Sequence, residues 1–399
     1  MIKVAKFGGS SCASAEQFQK VKDIVLSDKS RHYIVVSAPG KRASGDTKVT
    51  DLLYRLYDAV HDEERFQETL QEIRSRYQEI IDGLQLSFSL TEDFTRIEQD
   101  LKAGADRDYA ASRGEFLNAK LMAAYLGFQF IDSASCFFFN EDRSCDFEKT
   151  EEEIRAALKD VDYAVFPGFY GANAEGRVVT FSRGGSDVTG SLLAAAEHVD
   201  LYENWTDVSG FLVADPRIVP NPEVIDYITY RELRELSYMG AGVLHEDAIF
   251  PVRREGIPIQ IKNTNRPEDH GTMIVQHTLK KPRFIITGVS GKKDFCAINI
   301  EKAMMNSEIG FARKVLSVLE DNQISFEHIP SGIDTMTLVI HQEELEHCEQ
   351  KILNGIQRSV NPDLIELESD IALIAVVGRG MKSSRGVAGR VFSALAMIF

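Results

Sequence analysis

The chain has 399 residues, 44% of them hydrophobic and 27% charged, which describes an ordinary globular protein long enough for two or more domains. A formal net charge of −16 argues against nucleic acid as a partner. No apolar run is long enough for a membrane span, and Lys3 and Lys6 interrupt the only apolar stretch at the N-terminus, so neither a membrane location nor a secretory leader is expected. The five cysteines (Cys12, Cys136, Cys145, Cys296 and Cys348) form no CxxC and no Cys/His cluster. No zinc site or disulfide framework is therefore indicated, and a reduced, cytoplasmic setting is expected.

The first 265 or so residues alternate strand and helix patterns. Strand-like runs are IKVAKF (2–7), YIVVSA (33–38), FQFIDS (128–133), DYAVFPGF (162–169), RVVTF (177–181), HVDLYENW (198–205) and IPIQIKN (257–263). Several are apolar along their whole length, as strands covered on both faces are. Ser14-Ala15-Glu16-Gln17 reads as a capping box opening a helix to about Ser27, and Thr50 as the cap of a helix beginning DLLYRLYDAV. Residues 62–126 read as successive amphipathic helices inserted in this core. The alternation predicts an α/β fold with a mainly parallel sheet sandwiched by helices.

After about Pro282 the units shorten: strands FIITGVSG and CAINIE, helix GFARKVLSVLEDN, strands ISFEHIPS and TMTLVIH, helix EELEHCEQKILNGI. A related beginning follows, IALIAVVG (371–378), the turn RGMKSSRG and the helix VAGRVFSALA, which suggests an internal repeat whose second copy is incomplete at Phe399.

Four stretches could carry chemistry. Lys6-Phe7-Gly8-Gly9-Ser10-Ser11 ends the first strand, where open α/β sheets bind ligands. Its glycines let backbone N–H groups approach an anion, and Lys6 on a rigid strand could neutralise phosphate; it is no P-loop, because GxxxxGK[ST] is absent. FSRGGSDVTGSLLAAA (181–196) repeats the design, with Arg183 suited to a carboxylate and Asp187 at a helix start. WTDVSGFLVADPR (205–217) is a polar loop after an apolar strand, either a nucleotide contact or plain surface. In SRGEFLNAKLMAAYLG (112–127), Glu115 lies on a helix, where an isolated Glu ordinarily faces solvent.

Together KFGGSS, SRGE, FSRGGSD, WTDVSGFLVADPR and GAGVLH (240–245) resemble, in order along the whole chain, the aspartokinases of the amino acid kinase fold. EHIPSGIDTMTLVI (327–340) resembles the first ACT domain of the monofunctional, feedback-controlled members. The resemblance implies a catalytic domain at 1–282, a first ACT domain at 305–369, and an incomplete second ACT domain from 284–304 plus 370–399. It implies phosphorylation of the L-aspartate side chain by ATP, with Mg²⁺ held mainly by the nucleotide phosphates and no protein metal site. Lys6 and Asp187 would be catalytic, and Gly8, Gly9, Ser10 and Ser11 would hold phosphate. Ser37, Thr50, Glu115, Arg183, Gly184, Gly185 and Ser186 would hold aspartate, and Thr206, Asp207, Leu212, Asp215 and Arg217 the nucleotide. L-lysine is the implied effector, at Met305, Glu308, Gly310, Phe311, Ala312, Glu327 and Asp334, in a homodimer formed through ACT domains or a tetramer. Gly310 and Phe311 would offer free N–H groups to its α-carboxylate, and Glu327 and Asp334 would receive an ammonium. One departure stands out: Gly242 replaces a lysine that many members carry. Competing readings are another amino acid kinase acting on a small carboxylate, and a catalytically dead ACT-type sensor.

Overall fold

The computed structural model describes all residues except Arg183, 241–243, His245, 279–283 and 398–399, and describes the backbone alone of Glu246 and Asp247. Two compact units emerge. The first comprises Met1–Ser237, Gly242–Gly288 and Val377–Phe399, the second Tyr238–Ala241 and Val289–Val376.

In chain order the first unit contains β1 (Lys3–Phe7), α1 (Ala15–Ser27), β2 (Arg31–Val36), α2 (Val49–Asp58), α3 (Glu63–Gly83), α4 (Thr91–Lys102) and α5 (Arg107–Leu126). Then come β3 (Gln129–Phe130), β4 (Phe138–Phe139), α6 (Phe147–Leu158), β5 (Ala164–Pro167), β6 (Tyr170–Asn173), β7 (Val178–Thr180), α7 (Gly185–Ala196) and β8 (Leu201–Thr206). β9 (Tyr227–Thr229), α8 (Tyr230–Tyr238), α9 (Glu246–Arg254), β10 (Ile259–Asn263) and β11 (Thr272–Val275) complete the sheet.

That sheet has eight strands in the order β3-β5-β2-β1-β8-β10-β11-β9. Only β10–β11 is antiparallel among its described pairings; β1 is parallel to both β2 and β8. The central position of β1 explains its sequence: all five residues are buried. Their regular side-chain alternation puts Ala5 and Phe7 into the core against α1, α2 and α5. A parallel arrangement brings the carboxyl ends of β1, β2, β5 and β8 to one edge. α1 begins as expected, with Ser14 accepting from the Gln17 N–H.

Two expectations for this unit need correction. Thr50 is not a cap: the Val49 N–H bonds back to Pro39 O and the helix opens at Val49 after Lys48, leaving Thr50 inside its first turn. Glu115 does not face solvent. α5 is buried almost all round because small residues (Ala110, Ala111, Ser112, Gly114, Ala119) let its neighbours approach on every side.

The second unit is a three-stranded sheet, β13-β12-β14, formed by β12 (Gly288–Glu301), β13 (Thr335–His341) and β14 (Leu364–Val377). It is covered by α10 (Phe311–Glu320), α11 (Gln342–Leu345) and α12 (Glu349–Val360). FIITGVSG and CAINIE are not two strands: from Gly288 the chain runs as one strand through the exposed Lys292-Lys293-Asp294, with Asp294 at φ 70°. ISFEHIPS forms only the isolated bridges His328–Val339 and Ser331–Met336, and the predicted helix EELEHCEQKILNGI breaks in two between Leu345 and Glu349. After β14, helix α13 (Val387–Ala396) belongs to the first unit.

Candidate active site

Lys6 and Asn204 are register partners on β1 and β8, near the carboxyl edge. Both reach Asp187 in the first turn of α7. Lys6 Nζ lies 2.6 Å from Asp187 Oδ1, and Asn204 Nδ2 donates to the same oxygen at 2.7 Å. The lysine side chain is 9% exposed and the aspartate 18%, so the pair is shielded yet open to one side. Tyr202 fixes α7 from below by donating to Asp187 O at 3.2 Å.

The Gly8–Ser11 turn follows β1 as a short 3₁₀ segment, Gly9–Cys12. The Gly8 N–H bonds to Trp205 O at 3.0 Å, and Ser11 Oγ shares a 2.7 Å bond with Thr264 Oγ1. Gly9 O accepts from the Gly40 N–H at 2.8 Å. At the end of β2, the Ser37 N–H bonds to Phe7 O and Ser37 O accepts from Asn118 Nδ2 at 2.6 Å. Gly184 precedes α7 at φ 58°, a left-handed conformation that glycine adopts without penalty, and Gly185 and Ser186 open the helix. Arg183 and Gly242 lie outside the described residues.

Glu115 is a buried carboxylate one helix behind this edge. Burial pushes it up to about 8, only partly offset by the Ala38 N–H and the charge of Arg113. Its Oε2 has no hydrogen-bond partner in the protein. A buried carboxylate oxygen left unbonded costs free energy unless a ligand satisfies it.

The predicted nucleotide residues are less gathered. Thr206 Oγ1 donates to Asp207 Oδ1 at 3.2 Å, and Thr206 O accepts from the Thr264 N–H. Leu212 bridges Val224. Asp215 and Arg217 pair with each other at 2.6 Å on an exposed loop, the arginine 86% exposed.

In the second unit, the expectation of a free N–H at Phe311 is corrected: it bonds to Glu308 O at 3.2 Å, because the chain turns through Met305–Ser307 before the helix. Gly310 caps α10 at φ 80°, Met305 is buried and Ala312 is exposed. Glu308 pairs with Lys302 and Lys314 at 2.6 Å each. Asp334 Oδ1 accepts from the Met304 N–H at 2.8 Å, and Glu327 accepts from the Tyr238 hydroxyl.

Asn204 and Asn118 were not anticipated. The signal for Asn204 was present: a polar residue on a strand read as buried needs a buried partner, which is Asp187. Nothing local announces Asn118.

A basic strand end, glycine turns and a helix N-terminus on one edge suit an anionic ligand and charge transfer between oxygens. The model of the amino acid kinase family matches residues 1–263. The chain belongs to the amino acid kinase family. Within that family it is 40% identical to aspartokinase 3 of Bacillus subtilis, over 99% of this chain and 90% of the relative. The crystal structure of Clostridium acetobutylicum aspartate kinase is 50% identical with a TM-score of 0.89, covering 99% of this chain and 91% of that one. Escherichia coli aspartokinase III, in an R-state complex with aspartate and ADP, is 26% identical with a TM-score of 0.74, covering 99% and 91%. The same enzyme in a T-state complex with lysine and aspartate gives 27% and 0.71, covering 94% and 87%.

Proposed function

We propose that the chain is an aspartate kinase: it transfers the γ-phosphoryl group of ATP to the side-chain carboxylate of L-aspartate, giving 4-phospho-L-aspartate and ADP. This reaction opens lysine, threonine and methionine biosynthesis. The observation that carries the reading is the shielded Lys6–Asp187–Asn204 constellation at the carboxyl edge, with the unsatisfied Glu115 carboxylate behind it. The full-length likeness to aspartokinases supports it.

The acceptor is already ionised, so the residues have little proton transfer to perform. A carboxylate oxygen forms its bond to the γ-phosphorus as the bond to the ADP oxygen breaks, and catalysis consists of alignment and charge stabilisation. Lys6 leaves Asp187 for the phosphate oxygens, and the Gly8–Ser11 turn supplies backbone N–H groups. Glu115, once ionised, receives the aspartate ammonium. Ser37, Thr50, Arg183 and the Gly184–Ser186 turn complete the aspartate site, and Thr206, Asp207, Leu212, Asp215 and Arg217 the nucleotide side.

No group of three or more His, Cys, Asp or Glu side chains suited to a metal exists among the described residues. We assign Mg²⁺ to the nucleotide phosphates, where it would supply further charge neutralisation.

The domain limits 1–282, 305–369 and 284–304 with 370–399 are part of this reading, the pairing of Phe295–Glu301 with β13 adding that stretch to the sheet of the middle module. L-lysine is the proposed effector, bound between the first ACT modules of a homodimer. No described helix is long and apolar enough to cross a membrane, and we place the protein in the cytoplasm.

The test is ATP turnover with L-aspartate, the acyl phosphate being trapped by hydroxylamine. Aspartate-dependent hydroxamate is expected. Its absence would favour another small carboxylate as acceptor, or an ACT-type sensor without turnover.

A further inference from the structure

The loop between β2 and α2 lies against the Gly8–Ser11 turn. Gly40 donates its N–H to Gly9 O at 2.8 Å. The two backbones are so close that a Cβ on Gly40 would stand 2.7 Å from the Gly9 carbonyl carbon. The other side of the same residue is held by α3: Gly40 O accepts from Arg76 Nη2 at 2.8 Å. The second terminal nitrogen, Arg76 Nη1, donates to Thr47 O at 3.0 Å and pairs with Asp46 Oδ2 at 3.1 Å. One guanidinium thus grips both ends of a loop whose middle, residues 41–45, is exposed.

Packing alone gives no reason for an arginine here. The buried face of α3 is already supplied by Phe66, Leu70, Ile73, Tyr77 and Ile80. Arg76 is only 4% exposed and its Nε has no partner. Burying a charge with one donor unsatisfied is costly, and an apolar residue of similar volume would pack without that cost. What the arginine provides is a planar fork that reaches two backbone carbonyls and a carboxylate at once, which a lysine cannot do.

We propose that Arg76 is a positioning residue for phosphoryl transfer: through Gly40 it fixes the Gly8–Ser11 turn, and through Thr47 and Asp46 it fixes the entry to α2. The proposal rests on the aspartate kinase reading. A phosphate-facing turn that drifts by about 1 Å can lose on the order of a hundredfold in rate, and Gly40 is held on the side away from Gly9 by the hydrogen bond from this guanidinium.

The test uses the full chain with Arg76→Ala and Arg76→Lys, the hydroxamate assay, and a thermal melt of each protein. Arg76→Ala should lower kcat on the order of a hundredfold while both KM values move far less. Methylguanidinium in the assay should restore part of the lost kcat, and methylammonium should not. Arg76→Lys keeps the charge without the fork and should remain well below the unsubstituted chain. If the alanine variant does not fold, the folded lysine variant decides: lowered kcat at an unchanged melting temperature supports the proposal, and unchanged kcat overturns it. An alanine variant with normal kcat, or a loss that methylguanidinium does not relieve, also overturns it. An unsubstituted chain that forms no hydroxamate would instead sink the kinase reading itself.

Discussion

Lys6 Nζ and Asp187 Oδ1 stand 2.6 Å apart between a central strand and the first turn of α7, and Asn204 donates to the same carboxylate oxygen. In the proposed reaction, the ion pair would store a positive charge where phosphate charge develops. Lys6→Met removes that charge and leaves Asp187 with its Asn204 bond. Turnover should fall by on the order of a hundredfold or more, the cost of one preorganised group at a transition state. The check is kcat by hydroxamate formation beside a circular dichroism spectrum; a folded variant with near-normal kcat would remove Lys6 from the chemistry.

Glu115 makes a pH prediction. With its carboxyl pushed up to about 8, the free protein is largely protonated there at neutral pH, while the proposed role of receiving the aspartate ammonium requires the ionised form. kcat/KM for aspartate should therefore climb with pH, reach half its plateau near 8 and level off above about 9, where an ordinary glutamate at about 4.3 would give a flat profile over the neutral range. Stability should run the other way. The folded value lies above the unfolded one, so the folded state binds more protons and loses stability as pH rises from about 4 toward 8. Glu115→Gln should abolish the climb and flatten the stability profile. An unchanged kcat/KM profile in the glutamine variant would detach Glu115 from aspartate.

The strand ends and turns that build this site were readable in the sequence because their signals are local. An apolar strand interrupted by Lys3 and Lys6 and followed by two glycines leaves few alternatives. The helix pattern by itself put Glu115 in solvent because solvation is the default for an isolated glutamate, and the contrary signal is spread over more than two helix turns in Ala111, Gly114 and Ala119, which are small enough to admit neighbours on all sides. Arg76 was invisible: its partners Gly40, Asp46 and Thr47 are 29 to 36 residues away, and an arginine on a polar-rich helix ordinarily faces water. The single strand Gly288–Glu301 escaped notice because its exposed centre carries no apolar pattern to follow.

Glu232 gathers bonds from the chain on either side of the second unit. It accepts from Thr287 Oγ1 at 2.7 Å, Arg379 N at 3.0 Å, Arg379 Nη1 at 2.9 Å, and Thr229. Burial works against its charge, but these donors outweigh it and hold the carboxyl at about 2. The folded value lies below the unfolded one, near 4.3, so the stabilisation is present in full above about pH 5 and is lost as pH falls toward 2. At neutral pH this amounts to about 3 kcal/mol. Glu232→Gln should lower the urea midpoint at pH 7, and the gap to the unsubstituted chain should be about half closed at pH 3 and nearly gone by about pH 2. A gap that persists in acid would mean the loss is one of packing, not of charge.

The last prediction concerns control by lysine. Of the acidic groups proposed to meet it, Glu308 is already held by Lys302 and Lys314, and Asp334 by the Met304 N–H. Glu327 has a neutral partner, the Tyr238 hydroxyl, which a ligand ammonium can displace at smaller cost than an existing ion pair. A carboxylate that trades a hydroxyl for an ammonium gains the difference between a neutral and a charge-assisted hydrogen bond, about 1 kcal/mol. For lysine to inhibit, it must bind the inactive arrangement more tightly than the active one, and Glu327 contributes only if that trade occurs in the inactive state. L-lysine should therefore inhibit the unsubstituted chain. Glu327→Gln should raise the lysine concentration for half-inhibition about fivefold, since the roughly 1 kcal/mol gained in that trade is lost. Lysine titrations of hydroxamate formation on both proteins decide it. No inhibition of the unsubstituted chain would remove lysine as effector, whereas superimposable curves would leave lysine as effector and send its ammonium to another partner.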